Sequence, residues 1–159
     1  MIKEVVLYPS EILSKVCKEA PLDNSTKEIC QHLNDTLVTT TGIGLAAPQI
    51  GMDQKIFLID VQGFKEFCIN PRILNFSQKE HKIKEGCLSL PGKQFYVSRP
   101  SIIEVEYYNE FFVLKRQIFG SDRSVFDDFR STVFQHEFDH LFGQLINNRN
   151  KKNPKELQA

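Results

Sequence analysis

Apolar residues along this chain follow two rhythms, one of four positions and one of two. Ile29, Leu33 and Leu37 recur at four-residue intervals, which predicts an amphipathic helix. Ser25-Thr26-Lys27-Glu28 just before them has the S-x-x-E form of a capping box, and Thr39-Thr40-Thr41 followed by Gly42 should end the helix. A shorter helix is expected over Ser10–Cys17, capped by Ser10. Strands are expected over Lys55–Asp60 and over Glu66–Ile69, the second ended by Asn70-Pro71. Ile102–Tyr108 alternates, with Glu104 and Glu106 on its polar face, and Asn109-Glu110 should turn it into a hairpin with Phe111–Ile118. The last strong pattern is helical again. Phe129, Val133, His136, Glu137 and His140 share one face, Gly143 is the stop, and Ser124 with Asp127 supplies a possible start. Strands followed by one buried helix give an α+β class, with antiparallel or mixed sheets packed around the central helix that carries His136-Glu137-Phe138-Asp139-His140.

Composition narrows the function without naming it. The 159 residues are 41% hydrophobic and 25% charged, enough for one core. Twenty basic and twenty acidic side chains cancel, so no net field draws the chain to nucleic acid or to an anionic membrane. The opening run breaks off at Tyr8-Pro9-Ser10 without a secretory pattern, and no stretch reaches the roughly 20 apolar residues of a membrane span. A cytoplasmic location is expected. Cys17, Cys30, Cys68 and Cys87 form no CxxC pair, and the first three read as buried apolar residues. One domain is expected over residues 1–147, with residues 148–159 a polar, frayed tail.

The helical pattern also carries chemistry. Residues four apart in a helix differ by about 40° around the axis and roughly 6 Å along it, so both imidazoles of His136 and His140 can reach one metal ion. Glu137 then stands beside a metal-bound water as general base, the H-E-x-x-H arrangement. The bland alternative is two core or surface histidines that happen to share this spacing. A catalytic ion of this kind takes three protein ligands and keeps one position open. Cys87 and Glu156, the one glutamate downstream of the motif, both remain available as the third.

Three segments together resemble the signature motifs of peptide deformylases, in order. They are Gly42-Ile43-Gly44-Leu45-Ala46-Ala47-Pro48-Gln49, Glu85-Gly86-Cys87-Leu88-Ser89 and Gln135-His136-Glu137-Phe138-Asp139-His140. Alone, the first reads equally as a structural turn or as a site, and the second as a turn entering a strand with an inert cysteine. The similarity extends through Ile50-Gly51, Asn70-Pro71, Leu90-Pro91-Gly92 and Arg99-Pro100 to about Asn147.

The resemblance implies a hydrolase that removes the formyl group from N-formyl-methionyl nascent peptides. It assigns Cys87, His136 and His140 as ligands of one divalent ion, Fe2+ in the cell, with Zn2+, Ni2+ or Co2+ as substitutes. Glu137 would move the proton, and the Gln49 amide with the Leu88 N–H would receive charge on the formyl oxygen. Gly44 and Gly86 would let the peptide backbone approach, and Ile43, Phe129 and Val133 would line the methionine pocket. For Phe129 and Val133 a core role competes. Asp139 would orient a ligand or simply be solvated.

This chain departs from the family pattern in places. Gln94 stands where many relatives carry a substrate-contacting arginine, and Asp128-Phe129 where many carry Gly-Leu. Ile146-Asn147-Asn148-Arg149 replaces a Phe-x-Asp-Arg stretch, and the long basic helix through which a transient ribosome contact would be made is absent. Two rivals are an H-E-x-x-H metallopeptidase and an inactive homologue that binds N-terminal peptides.

Overall fold

The computed structural model describes residues 1–148 and 152–159. The alternating run matches its expected bounds: β6 spans Ile102–Tyr108 and buries Ile103, Val105 and Tyr107. It pairs with β3 (Phe64–Phe76) on one side and β7 (Leu114–Gly120) on the other. With β1 (Gly44–Ala46) and β2 (Ile56–Val61) these form a five-stranded antiparallel sheet in the order β1-β2-β3-β6-β7. β4 (Glu80–Gly86) and β5 (Gln94–Pro100) pair separately as a two-stranded sheet. The class is α+β, with antiparallel sheets.

The continuous apolar run in β2 has a packing cause. Phe57 and Ile59 join the core beneath α2 (Arg130–His140), where Phe134 and Phe138 meet Tyr107 and Phe119. Ile56 and Leu58 face the other way, into the cluster of Leu33 and Leu37 on α1 (Asn24–Leu37). A strand covered on both faces has no need of polar alternation. The Phe57 and Phe134 rings meet edge to face with centroids 5.0 Å apart. Each such side chain, fully buried, stabilises by about 1.5–3 kcal/mol. No helix among the described residues is long and apolar enough to cross a membrane.

Several local expectations need correction. The cap of α1 is Asp23, whose carboxylate accepts the Ser25 N–H at 2.9 Å, so Ser25 is not the capping residue. The helix does end before the threonines, whose hydroxyls turn back onto the Thr36 and Leu37 carbonyls. Only a 3-10 turn, Glu11–Ser14, forms where a helix to Cys17 was expected, and Ser10 makes no side-chain cap. β3 does not stop at Asn70-Pro71; it continues through a register shift between Ile69 and Arg72. There the Asn70 side chain bonds both backbone groups of Ala20, at 2.7 and 2.9 Å, and holds the irregular backbone in place. β7 begins at Leu114, because Asn109 Oδ1 accepts from the Phe111 and Val113 N–H groups and widens the turn.

The central helix starts later than Ser124. That residue caps a separate 3-10 turn, Val125–Asp127, while Asp128 Oδ1 accepts the Arg130 N–H at 3.2 Å. α2 is also buried nearly all round, His136 being the most accessible position after its first residue, so the stripe of Phe129, Val133 and His140 is not its sole buried face. Gly143 ends it as expected, with φ of 72° against the Ser14 carbonyl.

The expected frayed tail is ordered where it is described. α3 (Pro154–Gln158) is capped by Asn153, and Gln158 bonds both backbone groups of Ile73, at 2.7 and 2.9 Å. Leu157 packs on the main core, an apolar anchor that the polar composition around it hides. Residues 149–151, including Arg149, lie outside the described residues.

Candidate metal and catalytic site

α2 presents its polar residues to the seam between the two sheets. His136 and His140, one turn apart, have ring centroids 5.1 Å apart. Cys87 comes from the turn between β4 and β5, closed by a Leu90 N–H to Cys87 carbonyl bond of 2.9 Å. One ligand atom from each of Cys87, His136 and His140 lies within 4.8 Å of the others. Cys87 Sγ is 3.5 Å from His140 Nε2, close to the edge of a tetrahedron built on bonds of about 2.0–2.3 Å.

A second group fixes the first. The period of two in β4 and β5 puts Glu85 and Arg99 on the same inner face. Arg99 Nε and Nη2 donate to both oxygens of Glu85, at 2.7 and 2.9 Å, and Nη1 donates to Asp139 at 2.8 Å. Glu85 in turn accepts from His136 Nδ1 at 2.9 Å, leaving Nε2 for the Cys87 side. Asp139 therefore reaches His136 through Arg99 and Glu85, and its solvated alternative fails, since it is 4% exposed.

Burial would raise the Glu85 carboxyl, but the Arg99 charge and the His136 hydrogen bond outweigh it and bring it down to about 2. Burial opposes protonation of His136, yet hydrogen bonds with Cys87 and Glu85 and the charge of Glu137 hold it well above the ordinary range. His140 falls well below that range, from burial first and then from His136 and Arg99. Glu137 rises to about 7, chiefly through burial. Its Oε2 is buried with no hydrogen-bond partner among the described residues.

These residues fit a bound divalent ion. Glu85 and Asp139 set two carboxylates against the single Arg99 guanidinium, and Glu137 Oε1 lies 4.0 Å from His136 Nε2, so carboxylates outnumber the one permanent cation around the two imidazoles. A thiolate and two imidazoles suit first-row divalent metals. Glu156 is elsewhere: its carboxylate accepts the Asn153 N–H at 3.1 Å in the cap of α3.

A cavity of about 890 Å³ opens over this group. Ile43, Gly44, Gln49, Gly86, Leu88 and Phe129 line it, as do Cys87, Val133, His136 and Glu137, while His140 sits behind, fully buried. The structure thus brings together every expected site residue. Gly44 has a different reason from the expected one. A Cβ there would stand 2.6 Å from Glu137 Oε1, so the missing side chain makes room for the carboxylate itself. A Cβ at Gly86 would meet the Lys93 carbonyl oxygen at 3.8 Å, an ordinary contact. Val133 is 4% exposed and belongs to the core as well as to the cavity wall.

Gln49 is 1% exposed, and its Oε1 accepts the Ala46 N–H at 2.9 Å. Its Nε2 lies 3.1 Å from Ser89 Oγ and 3.6 Å from Cys87 Sγ. Gln94 lines the cavity mouth. Asp128 does not; it pairs with Arg130 at 2.8 Å and accepts the Gly120 N–H at 3.0 Å. The residues missed from sequence are Arg99, Ser89 and the pairing role of Glu85. Glu85 and Ser89 flanked Cys87 in the second motif, but no spacing rule ties Arg99 to a helix.

The family model described as Polypeptide deformylase matches residues 2–156. A peptide deformylase from Fusobacterium nucleatum is 35% identical over 151 residues, covering 92% of this chain and 82% of the relative. One from Finegoldia magna is 35% identical over 152 residues, covering 93% and 89%. Among solved structures, peptide deformylase from Thermotoga maritima superposes with a TM-score of 0.86 at 31% identity, covering 96% of this chain and 99% of that one. A peptide deformylase from Synechococcus elongatus in complex with actinonin gives 0.83 at 30% identity, covering 98% and 82%.

Proposed function

Because this chain belongs to the peptide deformylase family, we propose that its cavity hydrolyses the formyl group of N-formyl-methionyl nascent peptides, releasing formate. The observation that carries this is the meeting of Cys87, His136 and His140 beside a buried Glu137 whose Oε2 has no partner among the described residues. Those three residues would hold one divalent ion. When bound, it supplies the Lewis acidity that makes water nucleophilic near neutral pH and polarises the formyl carbonyl. Iron is the ion this reading favours, with zinc, nickel or cobalt as substitutes.

The remaining work falls to the side chains. Glu137 takes the proton of the attacking water at Oε2 and hands it to the departing amine nitrogen. Gln49 Nε2 and the Leu88 N–H donate to the formyl oxygen as charge grows there, and neither group titrates in doing so. Ile43, Phe129 and Val133 form the apolar wall for the methionine side chain, and Gly86 on the cavity lining admits the peptide backbone. Such substrates place the enzyme in the cytoplasm. α3 docks on β3 through Gln158.

Formate release from formyl-Met-Ala-Ser tests the proposal. Glu137→Gln should lower turnover by about 10²–10⁴-fold while the protein keeps its metal. Undiminished turnover in that variant removes Glu137 as the base. Cys87→Ala should lose the bound ion outright, read as metal per protein after dialysis; retention would reopen the metallopeptidase alternative.

A further inference from the structure

An amide can face its site in two ways, with nitrogen or with oxygen forward, and only nitrogen donates. At Gln49 the choice is forced by the two ends of a hydrogen-bond chain. At one end the Ala46 N–H, a backbone group that can only donate, points at Gln49 Oε1 from 2.9 Å. At the other, Ser89 Oγ gives its single proton to the Val6 carbonyl, which can only accept, at 2.7 Å. Ser89 Oγ is then left with lone pairs alone toward Gln49, and Nε2 fills that place at 3.1 Å. A flipped amide would set nitrogen against the Ala46 N–H and oxygen against a hydroxyl already spent. Both Gln49 and Ser89 are 1% exposed, so bulk solvent does not relieve that conflict. One Nε2 hydrogen is thus committed to Ser89, and the other is left for the Cys87 side of the cavity, where Sγ lies 3.6 Å away.

The far end of this chain is a strap formed by residues 3–8. Lys3 N–H donates to Thr36 Oγ1 at 2.8 Å, Val6 N–H to the Gln49 carbonyl at 2.7 Å and Tyr8 N–H to the Ser89 carbonyl at 2.9 Å. The strap therefore clips the 3-10 turn bearing Gln49, Ala47–Ile50, to the turn bearing Ser89, and none of its residues lines the cavity.

We propose that Ser89, held by the Val6 carbonyl of this strap, is a positioning residue that locks the Gln49 amide with one N–H turned to the formyl oxygen. The inference rests on Gln49 being an oxyanion donor. Ser89→Ala removes the acceptor and leaves the amide free to turn, a fault felt only as charge develops on the oxygen. In metal-loaded protein with formyl-Met-Ala-Ser, kcat should fall about tenfold while KM and metal content stay near the parent's. Ser89→Thr, which keeps the hydroxyl, should recover most of it. In a Gln49→Ala background, Ser89→Ala should cost almost nothing further in kcat, because the group it acts through is gone.

An equal fall in both backgrounds, a fall in metal content with kcat, or no fall at all overturns the inference. Should Ser89→Ala fail to fold, NMR of the parent reads the same point. Slow solvent exchange of the Gln49 side-chain amide hydrogens, with a nuclear Overhauser contact from one of them to the Ser89 methylene, supports the lock, and fast exchange without that contact overturns it. A parent that releases no formate defeats the proposed reaction instead, and the NMR reading still judges the lock.

Discussion

Two buried polar networks meet at one cavity, and they are built differently. On the metal side, Asp139, Arg99, Glu85 and His136 form a chain of charged groups with hydrogen bonds of 2.8, 2.7 and 2.9 Å. On the oxyanion side, Ala46, Gln49, Ser89 and Val6 form a chain of neutral groups at 2.9, 3.1 and 2.7 Å. The difference follows from what each must hold. A group that faces a cation gains from carboxylate behind it, which raises ligand basicity and fixes the ring. A donor to a developing oxyanion must keep its hydrogen at every pH, so amide and hydroxyl serve where acid would not. Charge sets affinity on one wall, and direction sets geometry on the other.

Removing single members should expose that contrast in stability. The largest effect is expected from Arg99→Met, which strands Glu85 and Asp139 in the interior and should cost about 3–5 kcal/mol of unfolding free energy in denaturant titration. A cost below that of the neutral wall would mean the ionic chain is not what holds the seam. Ser89→Ala should be milder, about 1–3 kcal/mol, since it orphans one amide hydrogen and one carbonyl but no charge. Equality of the two losses would erase the distinction between the walls.

The smallest effect is expected at the partly exposed pair Asp128–Arg130, a check on whether burial or charge makes Arg99 costly. Burial would raise the Asp128 carboxyl, but the Arg130 hydrogen bonds and the Gly120 N–H outweigh it and hold it below its ordinary range. A depressed folded value stabilises above the unfolded one and is lost as pH falls through the folded one. Asp128→Asn should therefore cost less than about 1 kcal/mol near neutrality, with the gap to the parent closing below the carboxylate range. A gap that stays constant down to acid pH would show that Asp128 acts through packing rather than charge.

What the sequence made legible follows from distance along the chain. His136, Glu137 and His140 could be placed because a helix converts spacing into geometry, and β6 because alternation converts burial into parity. Cys87 needed the three motifs read together, since its partners lie on another element. Arg99 and Glu85 sit in a two-stranded sheet whose strands carry Lys82, Lys84 and Gln94 amid their apolar positions, so neither strand announced itself. Asn70-Pro71 looked like an end because proline removes a ladder donor; the compensation, a side chain bonded to Ala20, is invisible without the fold. The same holds for α3, where Leu157 and Gln158 dock a polar segment.

The fit of Gly44 against Glu137 means that the working carboxylate is confined by an atom that is not there. A single methyl group on β1 would displace the carboxylate of the base without altering a single residue of the helix. Variants at position 44 should then mimic lesions at position 137, and a survey that scores each residue by itself would credit a glycine with chemistry it never performs.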